Sequence, residues 1–206
     1  MNADELAEWI RRAQAGEAAA FDALIECYSA RLYGYLYRLT GSRDDAEDLL
    51  QDVFVRVVRM IAKYEHDGRF DAWLFRIATN LVRDRARRMR PAPSIGDRSD
   101  AELSGDPGAE LEPSDPSWPM QVAEETDRLQ WALGKLSGPE REVIMLRHFS
   151  DLSFKEIAGL MRTPLGTALA RAHRGLARLR RLMTEGRSAG EGDKGTTGPS
   201  GRGLTD

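Results

Sequence analysis

From Arg162 to Met183 the chain carries six basic side chains and no acid. At 3.6 residues per turn, Thr167, Arg171, Arg174, Arg178 and Arg181 fall on one side of a helix, a strip of fixed cations and forked donors suited to phosphate oxygens and base edges. A second strip lies upstream. Arg76, Thr79, Asn80, Arg83, Arg87 and Arg90 share one arc, and from Arg76 to Arg90 six arginines meet a single acid, Asp84. Such a one-sign stripe repels itself, so it favours a polyanionic partner over a bare solvated face. A third cluster has the opposite sign: Asp44, Asp45, Glu47, Asp48 and Asp52 gather in the first half of one helical stretch. Taken alone, these acids read as a solvated face helped by the positive end of the helix dipole.

Nothing beside these strips has the pattern of a catalyst. There is no glycine-rich phosphate loop and no nucleophile with a matched base, and His66, His148 and His173 lack metal-ligand spacing. Cys27, the one cysteine, permits neither an internal disulfide nor a cysteine zinc site; among Leu24, Ile25 and Tyr28 it is expected to be a buried, inert thiol. The expectation is a binding protein with no cofactor and no enzymatic activity. No apolar run approaches the roughly 18 residues needed to span a bilayer. The N-terminus, MNADELAEWIRRAQ, places acids before bases without an apolar segment. A cytoplasmic protein with no membrane insertion is therefore expected.

The elements that position the strips follow from periodicity. Helices are expected at 4–14, 18–40, 43–63 and 71–89, the third carrying Ala46, Leu49, Leu50, Val53, Phe54, Val57, Val58 and Ile61 on its core side, with Ser42 as N-cap. In the fourth, Trp73, Leu74, Ile77, Ala78 and Leu81 face inward, opposite the arginine arc. A second unit opens with a helix near 122–136. Ser137 with Glu140 and Ser153 with Glu156 then form two capping boxes, and Thr163-Pro164 starts a third helix. The short helix 154–161, a tight turn and the long helix 164–183 make a helix-turn-helix. In the long helix Leu165, Leu169, Ala172, Leu176, Leu179 and Met183 are expected to pack against Val143, Ile157 and Leu160, leaving the N-terminal part to enter a DNA major groove.

The net charge of −3 conceals a basic, acidic, basic layout: +2 over residues 21–90, −8 over 91–125 and +6 over 126–183. Six prolines and almost no hydrophobic periodicity mark 91–119 as a flexible acidic linker, and seven glycines mark the end from Thr184 as a disordered tail. The fold class is all-α. Two small helical domains are expected, an N-terminal bundle (1–90) and a C-terminal helix-turn-helix four-helix domain (121–183), joined by the linker (91–120) and followed by the tail (184–206).

Local strings sharpen this. DAEDLLQDVFVRVVR (45–59) followed by FDAWLFRIATNLVRDRARR (70–88) resembles the second conserved region of bacterial RNA polymerase sigma factors, and LSGPEREVIMLRHFSDLSFKEIAGLMRTPLGT (136–167) resembles the fourth. With no room for further domains, the chain resembles the minimal extracytoplasmic-function (ECF) subfamily of the sigma-70 family. The resemblance implies that Asp45, Asp48, Gln51, Asp52 and Arg56 bind core RNA polymerase. It gives Arg76, Asn80, Arg83 and Arg87, with the loop 64–70, to the non-template strand of the minus-ten element. Trp73, on the inward arc, stays with the core. The minus-thirty-five element falls to Thr167, Ala170, Arg171, His173, Arg174 and Arg178. Here the chain departs from the family pattern, with Leu169 and Ala170 at two customary polar positions; Ala170 suits a thymine methyl. The resemblance also implies promoter DNA and an anti-sigma factor as partners, and a linker that threads the polymerase toward its active-site cleft. The rival reading is a helix-turn-helix regulator that binds DNA without polymerase and uses its N-terminal half for sensing or dimerisation.

Overall fold

The computed structural model describes residues 2–89 and 120–191, helical throughout with no strand among them. The first unit holds α1 (Ala3–Gln14), α2 (Ala18–Thr40), α3 (Arg43–Met60), a 3₁₀ turn (Ile61–Lys63) and α4 (Phe70–Met89). The second holds α5 (Met120–Gly134), α6 (Gly138–Phe149), α7 (Phe154–Leu160) and α8 (Leu165–Glu191). Arg90, the expected linker 91–119 and the tail from 192 onward lie outside the described residues.

The starts and stops have local causes. Asn2 and Glu5 cap α1 reciprocally, and Ser42 Oγ accepts from the Asp45 N–H at 3.2 Å to start α3. Gly41 ends α2 with φ +78°, a left-handed conformation that glycine adopts without Cβ strain, and its N–H donates to the Tyr37 carbonyl. Glu140 accepts from the Ser137 N–H at 3.3 Å, and Glu156 from the Ser153 N–H at 2.9 Å. α8 begins one residue later than a Thr163 cap predicts: its first acceptor is the Pro164 carbonyl, which takes the Ala168 N–H at 3.1 Å.

Apolar burial holds each unit together. In the first, Leu24, Leu32, Leu36, Leu49, Val53, Leu74 and Phe75 are nearly inaccessible to solvent. Burying a side chain of this size contributes about 1.5–3 kcal/mol. A polar thread runs through this core. Tyr35 and Thr79 share a buried hydrogen bond of 2.8 Å, and the Thr79 hydroxyl also reaches the Phe75 carbonyl at 2.7 Å. Thr79 is therefore 1% exposed and belongs to the interior, although its spacing placed it on the arginine arc. Val58, expected inside, is 51% exposed, because α3 turns its inner face at Val53 and Val57. Cys27 is exposed too: Leu24, Tyr28 and Leu32 define the buried side of α2, and the thiol lies off it.

In the second unit α8 is seated differently from its leucine pattern. Ala168 and Ala172 are buried, Leu179 is partly so, and Leu165, Leu169 and Leu176 are exposed. Close approach explains the choice. A Cβ at Gly175 would lie 2.7 Å from Ile144 Cδ1 and 3.1 Å from Glu140 Cβ, so α6 and α8 meet along the small side chains. The helix also continues through Glu191, past the expected end at Met183; Thr184 Oγ1 donates to the Arg180 carbonyl within that continuation.

Candidate polymerase and nucleic-acid interfaces

The acid cluster of α3 divides in two. Arg85 of α4 pairs with Asp45 and lies 3.6 Å from Asp48, so Asp45 is half-buried and engaged within the unit. Asp48, Gln51, Asp52 and Arg56 are exposed. Sequence spacing missed their apolar neighbours: Val55 and Val58, 46% and 51% exposed, extend the same surface. Charged groups around exposed branched aliphatics make a mixed face suited to a protein partner.

On α4 the basic arc survives in part. Arg76, Asn80 and Arg87 are exposed, with Arg87 paired to Asp84. Arg83 is only 26% exposed, its guanidinium 2.5 Å from the Glu142 carboxylate of α6. At the start of α4 the loop after the 3₁₀ turn is built on aromatics. Tyr64 lies 4.7 Å from Trp73 and 5.6 Å from Phe70, centroid to centroid, and His66 closes beside it at 5.9 Å. Gln14 holds this loop by donating to the Ile61 and Tyr64 carbonyls at 3.1 and 2.6 Å. Burial pushes the Tyr64 phenol up to about 12, so it stays neutral and offers an uncharged face. Trp73 packs partly buried against the core and also lines this cluster. Neutral aromatics beside a cationic helix are the ingredients of single-strand binding.

On α8, His173, Arg174 and Arg178 are exposed, and Thr167, Ala170 and Arg171 are partly buried. His173, Arg174, Ala177, Arg178 and Arg181 line one open concavity. Arg174 Nε lies 3.6 Å from Glu140 of α6, which orients it while its side chain stays 62% exposed. Among the described residues no group of three His, Cys, Asp or Glu side chains is arranged to hold a metal ion.

Sequence reasoning did not find the contacts between the units. Arg141 of α6 donates to the Leu39 carbonyl at 3.1 Å and the Gly134 carbonyl at 3.2 Å, in the last turns of α2 and α5. Gln130 donates to the Tyr37 carbonyl at 3.2 Å and accepts from Arg38 at 3.1 Å. Arg141, Glu142 and Gln130 are 9%, 2% and 2% exposed. Burial holds the Glu142 carboxyl above the usual carboxylate range, outweighing the pull of Arg83 and Arg171.

Two helical units, an acid-and-valine face and two basic helices define a class of bipartite DNA-binding protein. Comparison with known proteins places it. The Sigma-70 region 2 model matches residues 24–91 and the Sigma-70, region 4 model residues 126–179. The ECF RNA polymerase sigma factor SigW of Bacillus subtilis is 31% identical over 185 residues, covering 85% of this chain and 95% of that protein. The ECF RNA polymerase sigma factor SigE of Mycolicibacterium smegmatis is 36% identical over 181 residues, covering 82% of this chain and 65% of that longer protein. A solved structure of CnrH in complex with the cytosolic domain of CnrY matches with a TM-score of 0.64 at 25% identity, covering 89% of this chain and 99% of that one. The chain belongs to the ECF sigma factors of the sigma-70 family. Its function is that of a polymerase-binding initiation factor; proteins of this kind are regulatory.

Proposed function

We propose that three surfaces divide the work. The exposed α3 face, Asp48, Gln51, Asp52 and Arg56 with Val55 and Val58, docks on core RNA polymerase, and Asp45 acts from within by holding Arg85 against α3. Arg76, Asn80, Arg83 and Arg87, together with the Tyr64–Trp73 aromatic loop, take the non-template strand of the minus-ten element as the duplex opens. Arg171, His173, Arg174 and Arg178, with Thr167 and Ala170 near the helix start, read the minus-thirty-five element in the major groove. The protein catalyses nothing itself and works in the cytoplasm beside polymerase. An anti-sigma partner covering these faces is part of the proposal, as the family implies; the matched CnrH structure is likewise of a complex, with the cytosolic domain of CnrY. No helix among the described residues is long and apolar enough to cross a membrane.

The observation that carries this reading is that two basic helices stand on separate units, beside a third face of different chemistry. Such halves need a scaffold to act together. Run-off transcription with purified core polymerase on genomic promoter fragments tests it: specific transcripts that require the chain are expected. Tight sequence-specific footprints by the chain alone, with no transcript, would instead establish the polymerase-independent regulator.

A further inference from the structure

The opening turns of α8 carry little that can hydrogen-bond a base. Pro164, just before the helix, has no N–H, and Gly166 has no side chain; a Cβ built on Gly166 would meet nothing within 4 Å. Thr167 and Ala170 are partly buried, and Arg171 is partly buried within electrostatic reach of the Glu142 carboxylate. Arg174 is the first exposed arginine of the helix. What this end does present is Leu169, 44% exposed among the residues assigned to DNA. Side chains three or four residues apart share one side of a helix, so Leu169 stands between Gly166 and His173, both exposed. Helical side chains lean toward the N-terminus, which carries the leucine over the bare Gly166 turn, at the end that enters the groove first.

A leucine in that place has a narrow choice of partners. Every base pair lines the major groove with donors and acceptors, and covering one of them with hydrocarbon strips its water and returns no hydrogen bond. The thymine C5-methyl is the exception, an apolar group on the same edge. Burying a methyl-sized group strengthens binding by about fourfold. We propose that Leu169 is a specificity-determining residue of the minus-thirty-five contact, selecting an A·T pair by packing on the thymine C5-methyl. Arg174 and Arg178, exposed on the following turns, hold the duplex while the leucine discriminates by shape. The proposal rests on the assignment of α8 to the minus-thirty-five element. Leu176 supplies an internal comparison: it is 48% exposed, slightly more than Leu169, but lies seven residues on, about 10 Å further along the axis and beyond the groove-entering end.

The test uses the full chain bound to core polymerase and a promoter fragment on which run-off transcription has located the minus-thirty-five element. Each thymine of that element, on either strand, is replaced singly by deoxyuridine, which keeps the base pair and removes only the methyl group. The wild-type complex should lose about fourfold in affinity at one thymine. Leu169→Ala should bind the unmodified fragment more weakly and be indifferent to loss of that methyl, the non-additivity expected of two groups in contact. Leu176→Ala should keep the wild-type penalty. Both variants truncate exposed side chains and introduce a strong helix former, so the fold is preserved, as circular dichroism will check. A wild-type complex indifferent to every methyl, a penalty that persists undiminished in Leu169→Ala, or one abolished by Leu176→Ala would each overturn the proposal. Failure of the α8 assignment shows separately, as an Arg174→Ala complex with unchanged affinity and salt dependence on the unmodified fragment.

Discussion

At the residue scale the decisive groups are those whose surroundings reverse the expectation of their type. Thr79 is a polar side chain at a position that looks solvent-facing, yet its hydroxyl satisfies Tyr35 in the core. Thr79→Val keeps the shape and leaves the buried phenol short of a partner, a loss of about 1–3 kcal/mol readable by chemical denaturation. Glu142 is the second reversal. Its folded pKa lies above the ordinary glutamate value of about 4.3, with desolvation outweighing Arg83, so its ionised form costs stability above that ordinary value. The cost vanishes as pH falls through the raised value toward 4.3. Glu142→Gln, which mimics the protonated acid, should melt no lower than wild type at neutral pH, and the gap should close on acidification. A neutral-pH melting point well below wild type would show that the ion pair outweighs the desolvation. Neither reversal was legible in the sequence, since each depends on a partner at least 44 residues away. The capping serines at 42, 137 and 153 were legible because their partners lie three residues on.

At the element scale, apolar periodicity located most helices among the described residues, and the capping boxes at Ser137 and Ser153 located α6 and α7. Which arc of α8 faces inward was a different question. Leucines at 165, 169 and 176 form the stronger apolar stripe, yet the alanines and Gly175 are buried because α6 approaches too closely for larger side chains. The preference for small groups comes from the neighbouring helix and is invisible in the pattern of α8 itself. Leu169→Lys should therefore be nearly neutral for stability, whereas Gly175→Leu should overpack the α6 contact and cost about 1–3 kcal/mol in a denaturant titration. The reverse ranking would restore the leucine face. The seating also sets what α8 offers to DNA. Arg174→Ala should weaken promoter binding by the polymerase complex by about 1–3 kcal/mol if it pairs with a base, or lower the salt slope by about one if it meets phosphate. On α3, the exposed face predicts that reversing Asp48 and Asp52 together reduces capture by core polymerase with an unchanged circular-dichroism spectrum, whereas full capture would remove α3 as the docking helix.

At the scale of the whole molecule, the sequence separates two units by an acidic, proline-rich stretch, and the structure sets those units against each other. Composition carries no record of such an interface, because its donors and acceptors are mostly backbone carbonyls at helix ends and long polar side chains. Arg141 is the point where the consequence is sharpest. One guanidinium donates to Leu39 at the end of α2 and to Gly134 at the end of α5, so it closes a helix in each unit with a single rigid fork. Removing it leaves two terminal carbonyls without their partner and takes away a cation shared by two negative helix ends. If that link couples the units, wild-type chain should unfold in one transition by calorimetry and by fluorescence alike. Arg141→Ala should then split the transition, with the first unit retaining its apolar core. Arg141→Lys supplies the charge without the fork and should restore the single transition only in part. A single, undivided transition in Arg141→Ala would mean that the other contacts between the units, the packing of Phe149 on α2 and the Arg83–Glu142 and Gln130–Tyr37 links, suffice to couple them.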